Sequence, residues 1–200
     1  MYSNVIVALE GVVHTGKTTL LHGVKLRMGE RICCIDEYST YKGRVRFPDF
    51  PTTSEEALGA NEFFVRLEEK RFADVSEPGI VLLDRSLLSV LAYHYATEKV
   101  TDGRVSCFEQ SLLFFRENFS CWLPRLVIRL NISPEVFRKR HAEDSGLYKP
   151  VLLDEAFNRN LVLFYDNLGT YFPEIKVHKI DAVKSKVIVL RRTLNILSAI

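Results

Sequence analysis

Short apolar runs, each separated from the next by a longer segment, limit the fold of this 200-residue chain more than any other feature. The runs occupy residues 5–9, 32–35, 80–83, 126–130 and 177–180. Helices are predicted at residues 17–28, 54–75, 86–97, 107–118, 134–143, 152–171 and 183–198. Continuous apolar strands that alternate with helices indicate a parallel sheet covered on both faces. We therefore predict a single α/β domain over residues 1–200, with helices in layers on either side of a five-stranded parallel sheet.

The charge balance and the cysteines argue against several classes of protein. The chain has 27 basic and 25 acidic residues, whereas nucleic-acid or membrane-surface binding usually shows a stronger basic excess. The cysteines at positions 33, 34, 107 and 121 have neither metal-site spacing nor a disulfide pattern. No uncharged run is long enough to span a bilayer, and the N-terminus lacks the basic flank of a signal peptide. We therefore expect a cytoplasmic protein with no nucleic-acid or membrane partner.

The turn after the first predicted strand carries a phosphate-binding motif. Residues 11–18, GVVHTGKT, match the pattern G-x-x-x-x-G-K-[ST] without a gap, and a predicted helix follows. Backbone N–H groups of such a loop, together with the positive end of the helix, hold anionic phosphates. Lys17 is expected to reach the outer phosphates of ATP, and the Thr18 hydroxyl to bind Mg²⁺. The residues assigned to nucleotide binding here are Gly11, His14, Thr15, Gly16, Lys17, Thr18 and Thr19, although His14 either contacts a phosphate or fills a loop position.

Charged residues follow the second and third predicted strands. In parallel α/β sheets, ligands bind beyond the carboxyl ends of the strands, so these residues are expected beside the phosphate loop. Glu37 could orient or deprotonate a phosphate acceptor, Asp84 could hold Mg²⁺ or its waters, and Arg85 could stabilise the moving phosphoryl group. The alternative is that Glu37 caps a loop and that Asp84 and Arg85 form a structural ion pair.

A basic helix is predicted after the fourth strand. Ser133 is a good N-cap and a proline follows it, so SPEVFRKRH at residues 133–141 is expected to open a helix. Arg138 and Arg140 lie two positions apart and therefore point to different faces. We assign Arg140 to the catalytic centre and Arg138 to nucleotide binding, on a lid of about residues 138–150. A solvent-exposed basic face is the alternative.

Together these segments resemble the thymidylate kinase and deoxynucleoside kinase group of P-loop kinases, over about residues 3–170. VIVALEGVVHTGKTTL is similar to the opening strand and phosphate loop of that group, LLDRSLLSVLAYHYA to a strand end and the helix after it, and SPEVFRKRH to the start of its lid helix. The resemblance implies a three-layer P-loop NTPase fold, magnesium-ATP as the phosphate donor, an acceptor that carries a nucleobase, and a homodimer. It also implies that Arg85 binds phosphate at the reaction centre.

The chain departs from that group near the acceptor. Asp36 stands where thymidylate kinases usually have an arginine that grips the acceptor's phosphate. Tyr38 stands where deoxynucleoside kinases have a proline after the catalytic glutamate. In the lid, Asp144 occupies the place of a second arginine, and Lys149 is the nearest later cation. The family is therefore better defined than the substrate.

The acceptor-binding region is predicted over about residues 38–75. An aromatic pair in it could stack on a base, and Arg66 or Arg71 could contact a sugar or a phosphate, with Arg66 in the better position for the thymidylate type. The alternative is that Phe63 belongs to the core, because it follows helical spacing with later apolar residues. The candidate contacts with the acceptor are Glu37, Tyr38, Phe63, Phe64, Arg66 and Arg85.

These observations predict an ATP-dependent kinase that transfers the γ-phosphoryl group to a nucleoside or a nucleoside monophosphate. If Arg44 or Arg46 bends inward, the acceptor is already phosphorylated; otherwise a neutral hydroxyl acceptor is favoured. A P-loop kinase of another alcohol, such as an antibiotic or a metabolite, is one alternative. A nucleotide-hydrolysing switch is an alternative of a different class, although NISP at residues 131–134 does not match the guanine-binding motif of Ras-type GTPases.

Overall fold

The computed structural model describes residues 4–41, 45–73, 75, 79–144 and 150–200. Its strands are β1 (Val5–Glu10), β2 (Ile32–Ile35), β3 (Ile80–Asp84), β4 (Leu126–Asn131) and β5 (Lys176–Asp181). They form one sheet in the order β2-β3-β1-β4-β5, and every neighbouring pair is parallel. The predicted α/β class with five parallel strands is therefore confirmed.

Helices cover both faces of this sheet. They are α1 (Lys17–Met28), α2 (Ser54–Phe72), α3 (Leu87–Val100), α4 (Phe108–Asn118), α5 (Pro134–Ala142), α6 (Glu155–Asp166), α7 (Leu168–Tyr171) and α8 (Lys186–Leu197). Buried side chains of α1 and α8 form the core on one face, and those of α3, α4 and α6 form most of the core on the other. Among the described helices, none combines the length and the apolar character needed to cross a membrane.

The central strand β1 shows why its sequence is apolar without interruption. Successive side chains of a strand point to opposite faces. Val7 and Leu9 pack with α1 and α8, whereas Ile6 and Ala8 face the opposite side of the sheet. Because both faces are covered, every position in the middle of the strand is buried.

One predicted helix is wrong as a continuous element. The segment 152–171 begins instead with a 3-10 turn at Pro150–Leu153. Asp154 then acts as the N-cap of α6, because its carboxylate accepts a hydrogen bond from the backbone N–H of Phe157 at 2.6 Å. Asn167 separates α6 from α7 with non-helical backbone angles. The predicted loop at residues 38–53 also contains a 3-10 turn, at Tyr38–Tyr41.

The caps of two helices fix the ends of the strands that precede them. Ser133 accepts a hydrogen bond from the N–H of Val136 at 3.3 Å and caps α5 as predicted. Ser86 caps α3 in the same way through the N–H of Leu88. Both helices therefore start directly at the carboxyl edge of the sheet, beside the turn that follows β1.

Candidate active site

The turn between β1 and α1 has the backbone geometry of a phosphate loop. Gly11 has φ 138° and Gly16 has φ 89°, values that L-residues with a side chain rarely adopt. A Cβ atom on Gly11 would lie 2.5 Å from the carbonyl oxygen of Leu130, so β4 leaves no room for any other residue there. The two glycines therefore let the chain wrap closely at the start of α1, where N–H groups and the helix dipole favour an anion.

Lys17 closes this loop from within. Its ammonium group donates hydrogen bonds to the carbonyl oxygens of Gly11 at 3.1 Å and Val12 at 2.9 Å. Burial and the nearby Arg85 guanidinium lower the pKa of Lys17 to about 8. The side chain is still mostly protonated at pH 7, and an anionic phosphate beside it would stabilise the charged form further.

Thr18 and Asp84 form the part of the site that suits a magnesium ion. The Thr18 hydroxyl donates to Oδ2 of Asp84 at 2.5 Å, across the gap between α1 and the end of β3. The other carboxylate oxygen, Oδ1, is buried and has no hydrogen-bond partner among the described residues. A hydroxyl and an unpaired carboxylate oxygen are ligands that Mg²⁺ or its waters accept. The described residues contain no group of three or more histidine, cysteine, aspartate or glutamate side chains that could hold a metal ion.

Glu37 and Arg85 meet beside the loop as a charge pair. Nε of Arg85 donates to Oε1 of Glu37 at 2.7 Å, and Nη1 donates to the carbonyl oxygen of Gly11 at 3.2 Å. Arg85 has a positive φ of 65°, which turns its side chain at the end of β3. Ser39 donates to the second oxygen of Glu37 at 3.0 Å. The strand ends thus bring both predicted residues to the phosphate loop.

This pairing changes the acidity of both side chains. Burial alone would raise the pKa of Glu37, but the contact with Arg85, the charge of Lys17 and the hydrogen bond from Ser39 together outweigh burial and lower the pKa to about 2. The same contact raises the pKa of Arg85 despite its burial. Glu37 is therefore an anion throughout the neutral range and a weak base while the pair persists. Such a carboxylate can orient a hydroxyl group, which is the main demand of a loose phosphoryl-transfer transition state.

A buried carboxylate beneath the site was not predicted. Glu10 is fully buried at the end of β1 and accepts hydrogen bonds from the backbone N–H and the hydroxyl of Ser86, at 2.9 and 2.7 Å. Its other oxygen accepts from Ser89 at 2.5 Å and from the Tyr165 hydroxyl at 2.7 Å. Ser89 in turn lies 3.4 Å from Nη1 of Arg85. Glu10 therefore holds the start of α3 and the residues around Arg85 in place. The sequence signal that could have identified this residue is a glutamate directly before Gly11, the first glycine of the phosphate loop.

Arg71 has a different position from the one considered in the sequence. Its guanidinium is buried, pairs with Glu68 at 2.6 Å and lies 4.2 Å from the ring centre of Tyr38. Nη2 donates to the carbonyl oxygens of Asp36, Asp84 and Arg85 at 3.0, 3.0 and 3.1 Å. The side chain joins the ends of β2 and β3 and does not line the cavity.

A cavity of about 690 Å³ extends from the phosphate loop to an aromatic end. The predicted acceptor contacts that line it are Glu37, Tyr38, Phe64 and Arg85, and the ring centres of Tyr38 and Phe64 lie 5.3 Å apart. Phe63 and Arg66 instead line a separate depression of about 320 Å³ on the outer side of α2. Arg66 is 76% exposed and pairs with Glu62 at 3.7 Å. The structure thus brings Phe64 and Tyr38 to the cavity and leaves Phe63 and Arg66 outside it.

Of the two predicted lid arginines, only Arg140 lines the cavity. Its guanidinium donates to the carbonyl oxygens of His14 at 2.9 Å and Ala182 at 2.7 Å. Arg138 is 60% exposed and pairs with Glu155 at 2.8 Å, away from the phosphate loop. Residues 145–149 of the predicted lid, including Lys149, lie outside the described residues, as does Arg44 of the acceptor region.

His14 fills the phosphate loop and also contacts α5. Its ring lies 5.4 Å from that of Phe137 and 5.3 Å from that of His141. Nδ1 lies 3.4 Å from a carboxylate oxygen of Asp144. Burial lowers the pKa of His14, against the raising effect of Asp144. These contacts join the phosphate loop to the described part of the lid.

Comparison with known proteins identifies the fold. No protein-family model matches the chain, and no curated protein does. Three solved structures of deoxyadenosine kinase from M. mycoides are similar, each with 16% sequence identity. One with dCMP and a flexible dCDP covers 98% of this chain and 100% of its own, with a TM-score of 0.68. The structure with dCTP has a TM-score of 0.67 and covers 98% of this chain and 100% of its own. The structure with dATP has a TM-score of 0.68 and covers 97% of this chain and 99% of its own. The chain therefore has the fold of these P-loop kinases, as the sequence resemblance implied.

Proposed function

We propose that this protein is an ATP-dependent kinase that transfers the γ-phosphoryl group to a hydroxyl group of an uncharged nucleoside. The observation that carries the proposal is the position of the Glu37–Arg85 pair, which lies between the phosphate loop and the aromatic end of the same cavity. A donor phosphate on one side and a flat acceptor on the other would meet at this pair. The deoxyadenosine kinases with the same fold support this reading.

The charges of the cavity favour an acceptor without a phosphate. Among the described residues that line it, the arginines and lysines are Lys17, Arg85 and Arg140, and each contacts a carbonyl oxygen of the phosphate loop. The acceptor end adds the carboxylates of Asp49 and Glu56. Within the described part of the lining, a monophosphate there would meet negative charge without a cation of its own, which is unfavourable in a partly buried cavity.

Among the described residues, the arginines considered for an acceptor phosphate are engaged in other contacts or lie outside the cavity. Arg71 donates to backbone carbonyl oxygens and pairs with Glu68. Arg46 is 93% exposed and Arg66 is 76% exposed. A phosphorylated acceptor was expected if Arg44 or Arg46 bent inward, and of these two the described residues include only Arg46, which does not bend inward.

The residues of the site divide the work of transfer. Lys17 and the N–H groups of the loop would hold the β- and γ-phosphates. Thr18 and Asp84 would hold a magnesium ion, which when bound neutralises charge on the phosphates. Glu37 would accept a hydrogen bond from the acceptor hydroxyl and take its proton late in the transfer, as its low basicity requires. Arg85 would turn a guanidinium edge towards the transferred group. Arg140 would add positive charge above the loop.

The same proposal includes two properties that the resemblance implied and a third that was predicted from the sequence for lack of a signal-peptide pattern or a membrane-spanning run. They are a requirement for magnesium, a homodimeric assembly and a cytoplasmic location. The first two are tested by activity in EDTA with and without added Mg²⁺, and by the mass of the purified protein in solution.

An acceptor screen tests the proposal directly. The protein is incubated with γ-labelled ATP and Mg²⁺, together with nucleosides, their monophosphates or unrelated alcohols, and labelled products are separated. Labelled nucleoside monophosphate is the expected product, with little labelled diphosphate. Transfer only to unrelated alcohols would show that the acceptor is not a nucleoside, and the protein would then be a kinase of another alcohol. Release of phosphate at the same rate with and without any acceptor would instead show a nucleotide-hydrolysing switch.

A further inference from the structure

One residue of the phosphate loop carries a large side chain where the backbone favours glycine. His14 has φ 62°, in the left-handed region, where a side chain causes strain that glycine avoids. Strained residues of this kind cluster at ligand-binding and switch regions, where the surrounding contacts hold them. The side chain of His14 is only 3% exposed. The loop therefore keeps a buried ring at a position that glycine would occupy with less strain.

The ring of His14 is enclosed by residues of α5 and by a residue just beyond its end. Phe137 meets it edge-on with ring centres 5.4 Å apart, and the ring of His141, one helical turn further on, lies 5.3 Å away. Nδ1 of His14 lies 3.4 Å from a carboxylate oxygen of Asp144. Burial lowers the pKa of His14 from its usual value of 6.5, so the ring is neutral at pH 7. Because a carboxylate only accepts hydrogen bonds, Nδ1 is the nitrogen that carries the proton.

The rest of α5 is weakly anchored. Phe137 is the one buried residue among the nine residues of this helix, and it is the residue against which His14 packs. Arg138 pairs with Glu155 at 2.8 Å, but the two side chains are 60% and 62% exposed. An ion pair as exposed as this one contributes little. The ring of His14 is therefore well placed to set the position of α5.

The same helix carries Arg140, the lid arginine that lines the cavity. Its guanidinium donates to the carbonyl oxygen of His14 at 2.9 Å and to that of Ala182 at 2.7 Å. Arg140 lies between Phe137 and His141 in the sequence, so any movement of α5 away from the ring of His14 also moves this guanidinium. His14 thus holds the helix through its ring and the guanidinium through its backbone.

We propose that His14 is a positioning residue that holds Arg140 above the phosphate loop by packing its ring against α5. The inference rests on the proposed function, because it requires a phosphoryl group to be transferred at this loop. An arginine stabilises that transfer only when its guanidinium is in place, and a small displacement of a catalytic group lowers the rate strongly. In this role the ring of His14 acts through Arg140 and makes no contact with the nucleotide.

Replacing His14 by glycine removes the ring and keeps the loop. Glycine adopts φ 62° without strain and retains the carbonyl oxygen that Arg140 contacts. His14→Gly should lower kcat by about tenfold to a hundredfold, while the KM for ATP changes by less than about threefold because Lys17 and the loop N–H groups remain. Asp102→Gly is the matched control, since Asp102 has φ 50° in an exposed turn and does not line the cavity; both constants should stay unchanged. A folded His14→Gly protein with wild-type kcat would overturn the proposal.

Two further variants distinguish positioning from a general loosening of the loop. His141→Ala removes a ring contact from the side of α5 and leaves the loop intact, so it should lower kcat by about threefold to tenfold. In an Arg140→Gln background, His14→Gly should lower kcat by less than about a further twofold, because no guanidinium remains to be positioned. Wild-type kcat in His141→Ala, or fully additive losses in the double variant, would show that His14 does not act through Arg140.

Hydrogen exchange measures the position of α5 without reference to activity. In His14→Gly, the backbone amides of residues 137–142 should exchange about tenfold faster than in the wild type, whereas those of α3 should keep their rates. Unchanged exchange in α5 would overturn the proposed packing role even if kcat fell. Failure of the wild-type protein to phosphorylate any acceptor would overturn the proposed function and this role together, whereas the outcomes for the variants bear on His14 alone.

Discussion

Replacing Glu37 by glutamine separates the charge of this residue from its shape. Gln keeps a carbonyl oxygen near Nε of Arg85 but removes the negative charge that the guanidinium faces at 2.7 Å. The pKa of Glu37 falls from 4.5 to about 2 in the folded protein, which corresponds to roughly 3 kcal/mol of favourable interaction for the ionised form. Because the side chain is 31% exposed, solvent screening reduces the measurable effect to about 1–3 kcal/mol of unfolding free energy.

The sign of the pH dependence follows from the lowered pKa. A carboxyl group that is more acidic in the folded state stabilises the fold above its unfolded pKa, and this contribution is lost as the pH falls through the folded pKa. The stability difference between wild type and Glu37→Gln should therefore be complete above about pH 5 and shrink between pH 4.5 and about 2. Urea unfolding at a series of pH values measures it, provided that both proteins unfold reversibly.

The catalytic effect of Glu37→Gln should exceed its effect on stability. Loss of the acceptor-orienting carboxylate is expected to lower kcat by about 10²–10⁴-fold, while the Kd for magnesium-ATP changes by less than about tenfold. Calorimetry near pH 6.5 is the appropriate binding measurement, because Glu37 raises the pKa of Lys17 and its removal favours the neutral amine. Glu62→Gln, at a 70% exposed position outside the cavity, serves as the control. Full turnover by a folded Glu37→Gln protein would refute the role assigned to Glu37.

Three further substitutions test other parts of the site. Lys17→Ala should weaken ATP binding by about 10²-fold or more and abolish product formation, as calorimetry and the labelled-ATP assay would show, whereas unchanged binding would contradict the phosphate-loop assignment. In Arg71→Lys, a single ammonium group replaces the planar guanidinium and cannot donate to all of the same carbonyl oxygens, so the unfolding free energy should fall by about 2–4 kcal/mol. A loss below about 0.5 kcal/mol would contradict the structural role of Arg71. Glu10→Gln places an amide N–H donor where the surrounding groups need an acceptor, so it should lower the melting temperature and reduce kcat by about tenfold or more. A variant with wild-type kcat would show that Arg85 does not depend on this network.

The sheet could be predicted from the sequence because burial on both faces leaves a strong pattern. In β1 each of the side chains from Ile6 to Glu10 is buried, and all of them except the last, Glu10, are apolar. The break in the segment 152–171 was less visible, because residues on both sides of it are apolar and have helical spacing. Capping by Asp154 and the turn at Asn167 determine the boundary, and such local hydrogen bonds compete closely with helix continuation.

The part of the site that follows directly from topology was also predictable. Parallel strands end at one edge, so Glu37 and Arg85 had to approach the loop before Lys17. The Asn61–His94 contact joins positions 33 residues apart, and the contact between Glu10 and Tyr165 joins positions 155 residues apart. Neither pair has a characteristic spacing, since helix packing rather than strand order brings its members together. Long-range polar networks of this kind are therefore invisible in a single sequence.

The two arginines at this edge show how geometry separates a ligand-binding residue from a structural one. Both lie near the carboxyl ends of β2 and β3, where backbone carbonyl oxygens need donors. Arg71 supplies them: its Nη2 serves three carbonyl oxygens and its Nη1 serves Glu68, so its guanidinium is committed to the fold. Arg85 is bound through Nε and Nη1, and its Nη2 makes no hydrogen bond within the described chain. Because Arg71 has already satisfied the strand ends, Arg85 can exchange its contacts for those of a phosphoryl group without leaving buried carbonyl oxygens of β2 and β3 unpaired.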